Sequence, residues 1–106
     1  MLDSWTRFHI LCALANGPEY PFQIARDVAE ATRGELTLEA GNLHRRLQQL
    51  LQEGLVAEAP RPADCEDQRR RYFAVTARGR AALRDEAARM HVAARLARAA
   101  LDGSSK

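Results

Sequence analysis

The sequence predicts a mainly α chain with a small β-hairpin wing, arranged as a winged helix-turn-helix followed by a long C-terminal helix. Three observations point there. From Gly41 to Gly79 an amphipathic helix, a short strand, a polar loop, a second strand and a new helix follow without interruption. Helical stripes stand before that run, and an apolar heptad pattern continues after it. The division this implies is 1–76 for the winged helix-turn-helix DNA-binding domain, 77–101 for a C-terminal dimerisation helix and 102–106 for a frayed tail. A chain of 106 residues holds one modest core, of a size that a partner subunit often completes.

The first helix is expected from Trp5 to Asn16. Phe8, Leu11, Cys12 and Ala15 make its stripe, Ile10 and Leu14 widen it, Asp3 or Ser4 is placed to cap its start, and Gly17-Pro18 stops it. The second helix, Pro21 to about Thr32, turns Phe22, Ile24, Ala25, Val28 and Ala29 inward and ends at Arg33-Gly34. Leu36-Thr37-Leu38 reads as extended, a candidate third strand for the wing sheet.

From Leu43 the apolar residues Leu43, Leu47, Leu50 and Leu51 recur at helical spacing, so one stripe faces a core and the opposite face carries Asn42, Arg45, Gln49 and Gln52. That polar face has base-reading chemistry. Arg bonds guanine O6 and N7 in bidentate fashion, and Asn or Gln does the same at adenine N6 and N7. Asn42, Arg45 and Gln49 are therefore the candidate groove readers, with His44 and Arg46 flanking toward phosphate.

Gly54 ends this helix as a left-handed C-cap, and Leu55-Val56-Ala57-Glu58-Ala59 begins a strand. The charged loop from Pro60 to Gln68 returns through Arg69, Arg70 and Arg71 to the second strand, Tyr72-Phe73-Ala74-Val75. Arg69 and Arg70 are the candidates for contacts to a DNA backbone, whereas Arg71 reads as structural. Alternation places Tyr72 and Phe73 on opposite faces, so only one of them is expected in the core. Asp64, Glu66 and Asp67 at the loop tip oppose a polyanion, which argues against deep insertion of the tip into a minor groove.

The last helix, about Ala77 to Leu101, would extend roughly 37 Å, too far to pack on so small a core over its whole length. Leu83, Ala87, Met90, Ala94, Ala97 and Leu101 alternate steps of four and three, a heptad seam, and Val92 and Leu96 flank it. A homodimer is expected, with the seam as its interface. Two recognition helices related by a two-fold axis then meet the half-sites of a palindrome about one helical turn apart on double-stranded DNA.

Certain short motifs mark this order: Ile10-Leu11 with Leu14 and Gly17-Pro18, then Phe22-Gln23-Ile24, Gly41-Asn42-Leu43, Gln52-Glu53-Gly54-Leu55-Val56, and Arg71-Tyr72-Phe73 running through Thr76 to Gly79. In these, over roughly residues 8 to 90, the chain resembles the PadR-type transcriptional regulators of the short kind, with a single helix after the wing. It departs from the family pattern at Glu39-Ala40, where Ser-Pro is usual, at His44, where an aromatic Tyr is usual, and at Pro21, where Gly is usual. Proline is compatible with the first position of a helix. The resemblance implies a homodimeric repressor on a palindromic operator, released by a small aromatic or cationic ligand at the dimer interface. Trp5, Phe8 and Met90 are the candidate effector pocket.

Charge and composition narrow the function. The net charge of +2 is mild, but between Leu43 and Arg80 eight arginines stand against five acids, which is +3 and leaves −1 for the rest. No Gly-rich phosphate loop, nucleophile elbow or carboxylate pair suggests an enzyme, and no cofactor is expected. Cys12 reads as a small buried hydrophobe and Cys65 as an exposed wing residue beside two acids, which is no setting for a reactive thiolate. His9, His44 and His91 lie on three helices without metal-ligand spacing, so no metal site is expected. No apolar run is long enough for a bilayer, and Asp3 and Arg7 interrupt any leader pattern, so a cytoplasmic location is expected. The alternative function is a winged-helix protein-interaction module without sequence-specific DNA binding, which would lack the steep salt response of a DNA binder.

Overall fold

The computed structural model describes residues 2–104. It contains α1 (Leu2–Ala15), α2 (Pro21–Ala31), α3 (Ala40–Gln52), a hairpin of β1 (Val56–Ala59) and β2 (Tyr72–Val75), and α4 (Ala77–Ser104). This is the predicted class, mainly helical with one antiparallel hairpin and a long last helix. The core forms where three helical stripes converge on the hairpin: Ile10 and Leu14 from α1, Ile24 and Val28 from α2, Leu43, Leu47 and Leu50 from α3, and Phe73 from β2 are almost fully buried. Side chains spaced three and four apart share a helix face, which is why these residues meet.

Several expectations need correction. α1 starts at Leu2, so Asp3 and Ser4 lie inside the helix rather than capping it. The stripe of α1 is centred on Thr6, Ile10 and Leu14, with Leu11 and Ala13 beside them, while Phe8, Cys12 and Ala15 are only half-buried. On α2, Phe22 is 65 % exposed. Two residues along a helix correspond to about 200° of rotation, so Phe22 cannot share a face with Ile24.

Leu36-Thr37-Leu38 forms no strand. Leu36 and Leu38 pack on the core, and the Leu36 amide donates to Thr32 Oγ1 at 3.1 Å, a side-chain partner in place of a ladder. The position beside β2 is taken by Glu19. Its amide donates to the Phe73 carbonyl at 3.0 Å and its carbonyl accepts the Phe73 amide at 2.9 Å, so the segment between α1 and α2 is stapled to the wing.

The α3 helix ends as its sequence requires. Gly54 has φ +76°, the Leu55 amide donates to the Leu50 carbonyl at 2.9 Å and the Gly54 amide to Leu51 at 3.1 Å, which is a Schellman closure. Strands β1 and β2 pair with Val56 opposite Val75 and Ala59 opposite Tyr72. Tyr72 and Phe73 lie on opposite faces as alternation requires, and only Phe73 joins the core cluster, yet both are buried. Phe73 faces the core, whereas Tyr72 is roofed on the other face by Tyr20, ring centroids 5.4 Å apart, and by Cys65, whose Sγ is 3.8 Å from the Tyr72 hydroxyl. Cys65 is accordingly half-buried, not exposed.

Thr76 ties α4 to the end of α3. Its hydroxyl donates to the Gly54 carbonyl at 2.7 Å and accepts the Gly79 amide at 3.0 Å. Ala82 and Leu83 then pack on the core, but from His91 to Gly103 every residue is exposed. The helix continues to Ser104, so 102–104 are helical where a frayed tail was expected; Ser105 and Lys106 lie outside the described residues. The long α4 makes the molecule 61 Å in its longest dimension against 27 and 23 Å in the others. No helix among the described residues is long and apolar enough to cross a membrane.

Candidate nucleic-acid interface

Because Leu43, Leu47 and Leu50 are locked in the core, α3 has no rotational freedom, and its outer face is set by the same residues that hold it down. His44, Arg45 and Gln49 are exposed on that face, and Asn42 and Arg46 are half-buried. Asn42 Oδ1 accepts from Arg46 Nε at 3.1 Å and makes a longer 3.5 Å contact with an Arg45 guanidinium nitrogen. Of these five polar residues of the helix, three are exposed and two half-buried, on the part of α3 that the core leaves uncovered.

The wing arginines differ in what surrounds them. Arg61 straps the loop by donating to the Gln68 carbonyl at 2.8 Å and to Gln68 Oε1 at 2.9 Å. Asp67 Oδ1 accepts the Arg69 amide at 2.9 Å and Arg69 Nε at 3.3 Å, and these bonds, the backbone one first, hold the Asp67 carboxyl below its usual range. Arg71 spans the hairpin to Glu58, with 2.8 Å and 3.3 Å bonds to its two carboxylate oxygens, and the side-chain bond lowers the Glu58 carboxyl. Arg71 is thus a structural cross-strand partner. Arg70 forms no carboxylate ion pair among the described residues, Asp67 acting on it only at longer range; its guanidinium carbon lies 4.1 Å from the centroid of the Tyr20 ring, and the Tyr72 side chain bonds it as well.

Helix α3 and the wing border one hollow of about 200 Å³ lined by Tyr20, Pro21, His44, Arg69, Arg70, Arg71 and Phe73. No carboxylate lines it. The hollow gathers His44, Arg69 and Arg70 from the expected set, while Asn42, Arg45, Arg46 and Gln49 lie outside its lining. Tyr20 was not anticipated. Its signal was available in the sequence, since an aromatic stands where a helix start favours Ser, Thr, Asp or Asn.

The residues expected at an effector pocket are not brought together in one lining. A cavity of about 230 Å³ opens between α1 and α4, and Phe8 lines it with Arg7, Leu11, Leu83, Glu86 and Arg89 among others, but Trp5 and Met90 do not. Trp5 instead stacks on Phe8 at 6.1 Å and meets His9 edge-on at 4.4 Å. Of the expected seam, Leu83 packs on its own core, Met90 is half-buried, and Ala87, Ala94, Ala97 and Leu101 are exposed. Val92 and Leu96 are 54 % and 66 % exposed beside them. Burial pushes the Cys12 thiol up and His9 down. No group of three metal-ligating side chains occurs among the described residues.

Comparison with known proteins gives this arrangement a family. The sequence matches the Transcriptional regulator PadR-like family over residues 10–85. Comparison with curated proteins returns no match. Among solved structures, the fold is similar to a PadR family transcription regulator from hypervirulent Clostridium difficile, with TM-score 0.79 and 21 % identity over 92 % of this chain and 98 % of that one. It is similar also to a PadR-like transcription factor from Bacteroides fragilis, with TM-score 0.76 and 20 % identity over 92 % of this chain and 91 % of that one. A third similar structure is Bacillus subtilis PadR in complex with operator DNA, with TM-score 0.64 and 17 % identity over 76 % of this chain and 45 % of that one. With the family match covering most of α1, all of α2 and α3, the wing and the start of α4, the chain belongs to the PadR-like family of transcriptional regulators, and it is not an enzyme.

Proposed function

We propose that this protein is a homodimeric repressor that binds a palindromic operator in double-stranded DNA. The observation that carries the reading is the hollow where His44 of α3 meets Arg69, Arg70 and Arg71 of the wing with no carboxylate in the lining. A duplex laid across it places the α3 band of Asn42, Arg45 and Gln49 toward base edges, with Arg46 toward phosphate. The operator complex of the structurally similar Bacillus subtilis protein supports the same choice of partner.

Dimerisation through α4 is part of the proposal. The exposed Val92, Leu96 and Leu101 lie along thirteen exposed residues from His91 to Gly103, a surface that a second copy covers at little cost. Release by a small aromatic or cationic ligand completes it, with Phe8 and Glu86 of the cavity between α1 and α4 as an aromatic wall and an anionic contact.

The test is fluorescence anisotropy of the purified protein against the DNA upstream of its own gene and against a scrambled duplex, at two salt concentrations. A preference for the upstream DNA that weakens steeply with salt is the expected result. Absence of binding to both duplexes from a dimer confirmed by sedimentation would favour the protein-interaction module instead.

A further inference from the structure

We propose that Tyr20 is a positioning residue for DNA binding: its ring holds the Arg70 guanidinium at the hollow between α3 and the wing, aimed at one backbone phosphate. The inference rests on the DNA-binding reading and deepens it.

Three arginines enter the hollow, but two are engaged by carboxylates, Arg69 by Asp67 and Arg71 by Glu58. Arg70 alone of the three forms no carboxylate ion pair among the described residues: Asp67, which acts on it at longer range, is bonded to Arg69, and Arg70 is held by the Tyr20 ring face at 4.1 Å together with the Tyr72 side chain. A ring face attracts a cation through its quadrupole without neutralising it, so the full charge stays available to an incoming anion.

Tyr20 is not there to cap α2. It occupies the N-cap with φ −102° and ψ 160°, yet its side chain makes no capping hydrogen bond. The ring instead meets the Arg70 guanidinium at 4.1 Å and the buried Tyr72 ring at 5.4 Å. The neighbouring residue, Glu19, is bonded through both backbone groups to Phe73, three positions after Arg70. Platform and arginine are therefore carried on backbones joined to each other. An exposed arginine samples many rotamers and surrenders that freedom on binding; the stack removes part of that loss beforehand.

The test compares Arg70→Ala, Tyr20→Leu, Tyr20→Phe and the Tyr20→Leu/Arg70→Ala double variant by salt-dependent anisotropy on one duplex. Arg70→Ala should flatten the slope of log affinity against log salt by about 0.9, the value of one phosphate contact. Tyr20→Leu should weaken binding about two- to fivefold, Tyr20→Phe should bind as the parent does, and Tyr20→Leu should add nothing once Arg70 is alanine. An equal loss from Tyr20→Leu in both backgrounds, or none in either, overturns the proposal while leaving DNA binding intact. A parent protein that binds no duplex overturns the DNA reading itself, and this inference with it. Should Tyr20→Leu fail to fold, phenylalanines of increasing fluorination at position 20 keep the shape and drain the ring quadrupole. Affinity should then fall stepwise with Arg70 present and stay flat with Arg70→Ala, and a flat series with Arg70 present overturns the proposal.

Discussion

Gly79 lies against the backbone of Leu55 so closely that a Cβ on it would stand 2.0 Å from the Leu55 carbonyl oxygen and 2.7 Å from Val75 Cγ2. The start of α4 and the start of the hairpin share that space, and backbone does not yield as a side-chain tip does. Gly79→Ala should therefore destabilise the fold by about 3 kcal/mol, at the upper end for overpacking, even though alanine favours helix. Urea unfolding measures it, and an unchanged midpoint would refute the close approach.

Thr76 makes the same junction from the other side, with one hydroxyl serving both the Gly54 carbonyl and the Gly79 amide. Thr76→Val keeps the shape and deletes both bonds, so a loss of about 1–2 kcal/mol is expected, with Thr76→Ser recovering most of it. Thermal melts of the pair decide; equal melts for Val and Ser would remove the hydroxyl from the account.

His9 gives the stability a pH dependence. Burial lowers it from its ordinary 6.5, and its Nε2 is buried without a partner among the described residues. A lowered histidine means that the unfolded chain binds more protons than the folded one just below 6.5, so stability is full above that pH and falls as the pH drops through it. The parent protein should melt lower at pH 5.5 than at pH 7.5, and His9→Gln should show a smaller difference. Glu58 and Asp67, whose carboxyls are lowered, lose their contribution only at more acid pH.

Arg45 is exposed on the outward band of α3, in long contact with Asn42. If it reads a base, Arg45→Ala should cost about 1–3 kcal/mol on the cognate duplex and far less on a scrambled one. An equal loss on both would make it a phosphate contact.

Leu96 is 66 % exposed on the distal half of α4. Leu96→Asp should leave the fold of the single chain untouched and convert a dimer to a monomer in sedimentation velocity, because it buries a charge only if a second copy covers it. A dimer that survives the substitution would place the interface elsewhere.

The parts of the fold legible in the sequence were those with strong periodicity. Leu43, Leu47 and Leu50 at helical spacing gave α3, and Gly54 gave its end, because a left-handed closure needs glycine. Burial that depends on a distant segment was not legible. Tyr72 is buried on the outer face because Tyr20 and Cys65 cover it, and nothing near Tyr72 or Tyr20 in the sequence announces their meeting across the chain. Phe22 was different, since its angle from Ile24 around α2 already contradicted an inward position. Of the interface, the arginines of the wing were legible as charges, but which of them was paired depended on how the hairpin sets Glu58 opposite Arg71 and how the loop turns Asp67 toward Arg69.

The pair of hydrogen bonds between Glu19 and Phe73 has a mechanical meaning. A wing of two four-residue strands, standing alone, would swing about its base like a loose flap. Riveted to the segment ahead of α2, it moves only when that segment moves. Helix and wing then behave as the two jaws of a caliper clamped at one opening, tolerant of little variation in the width of whatever lies between them.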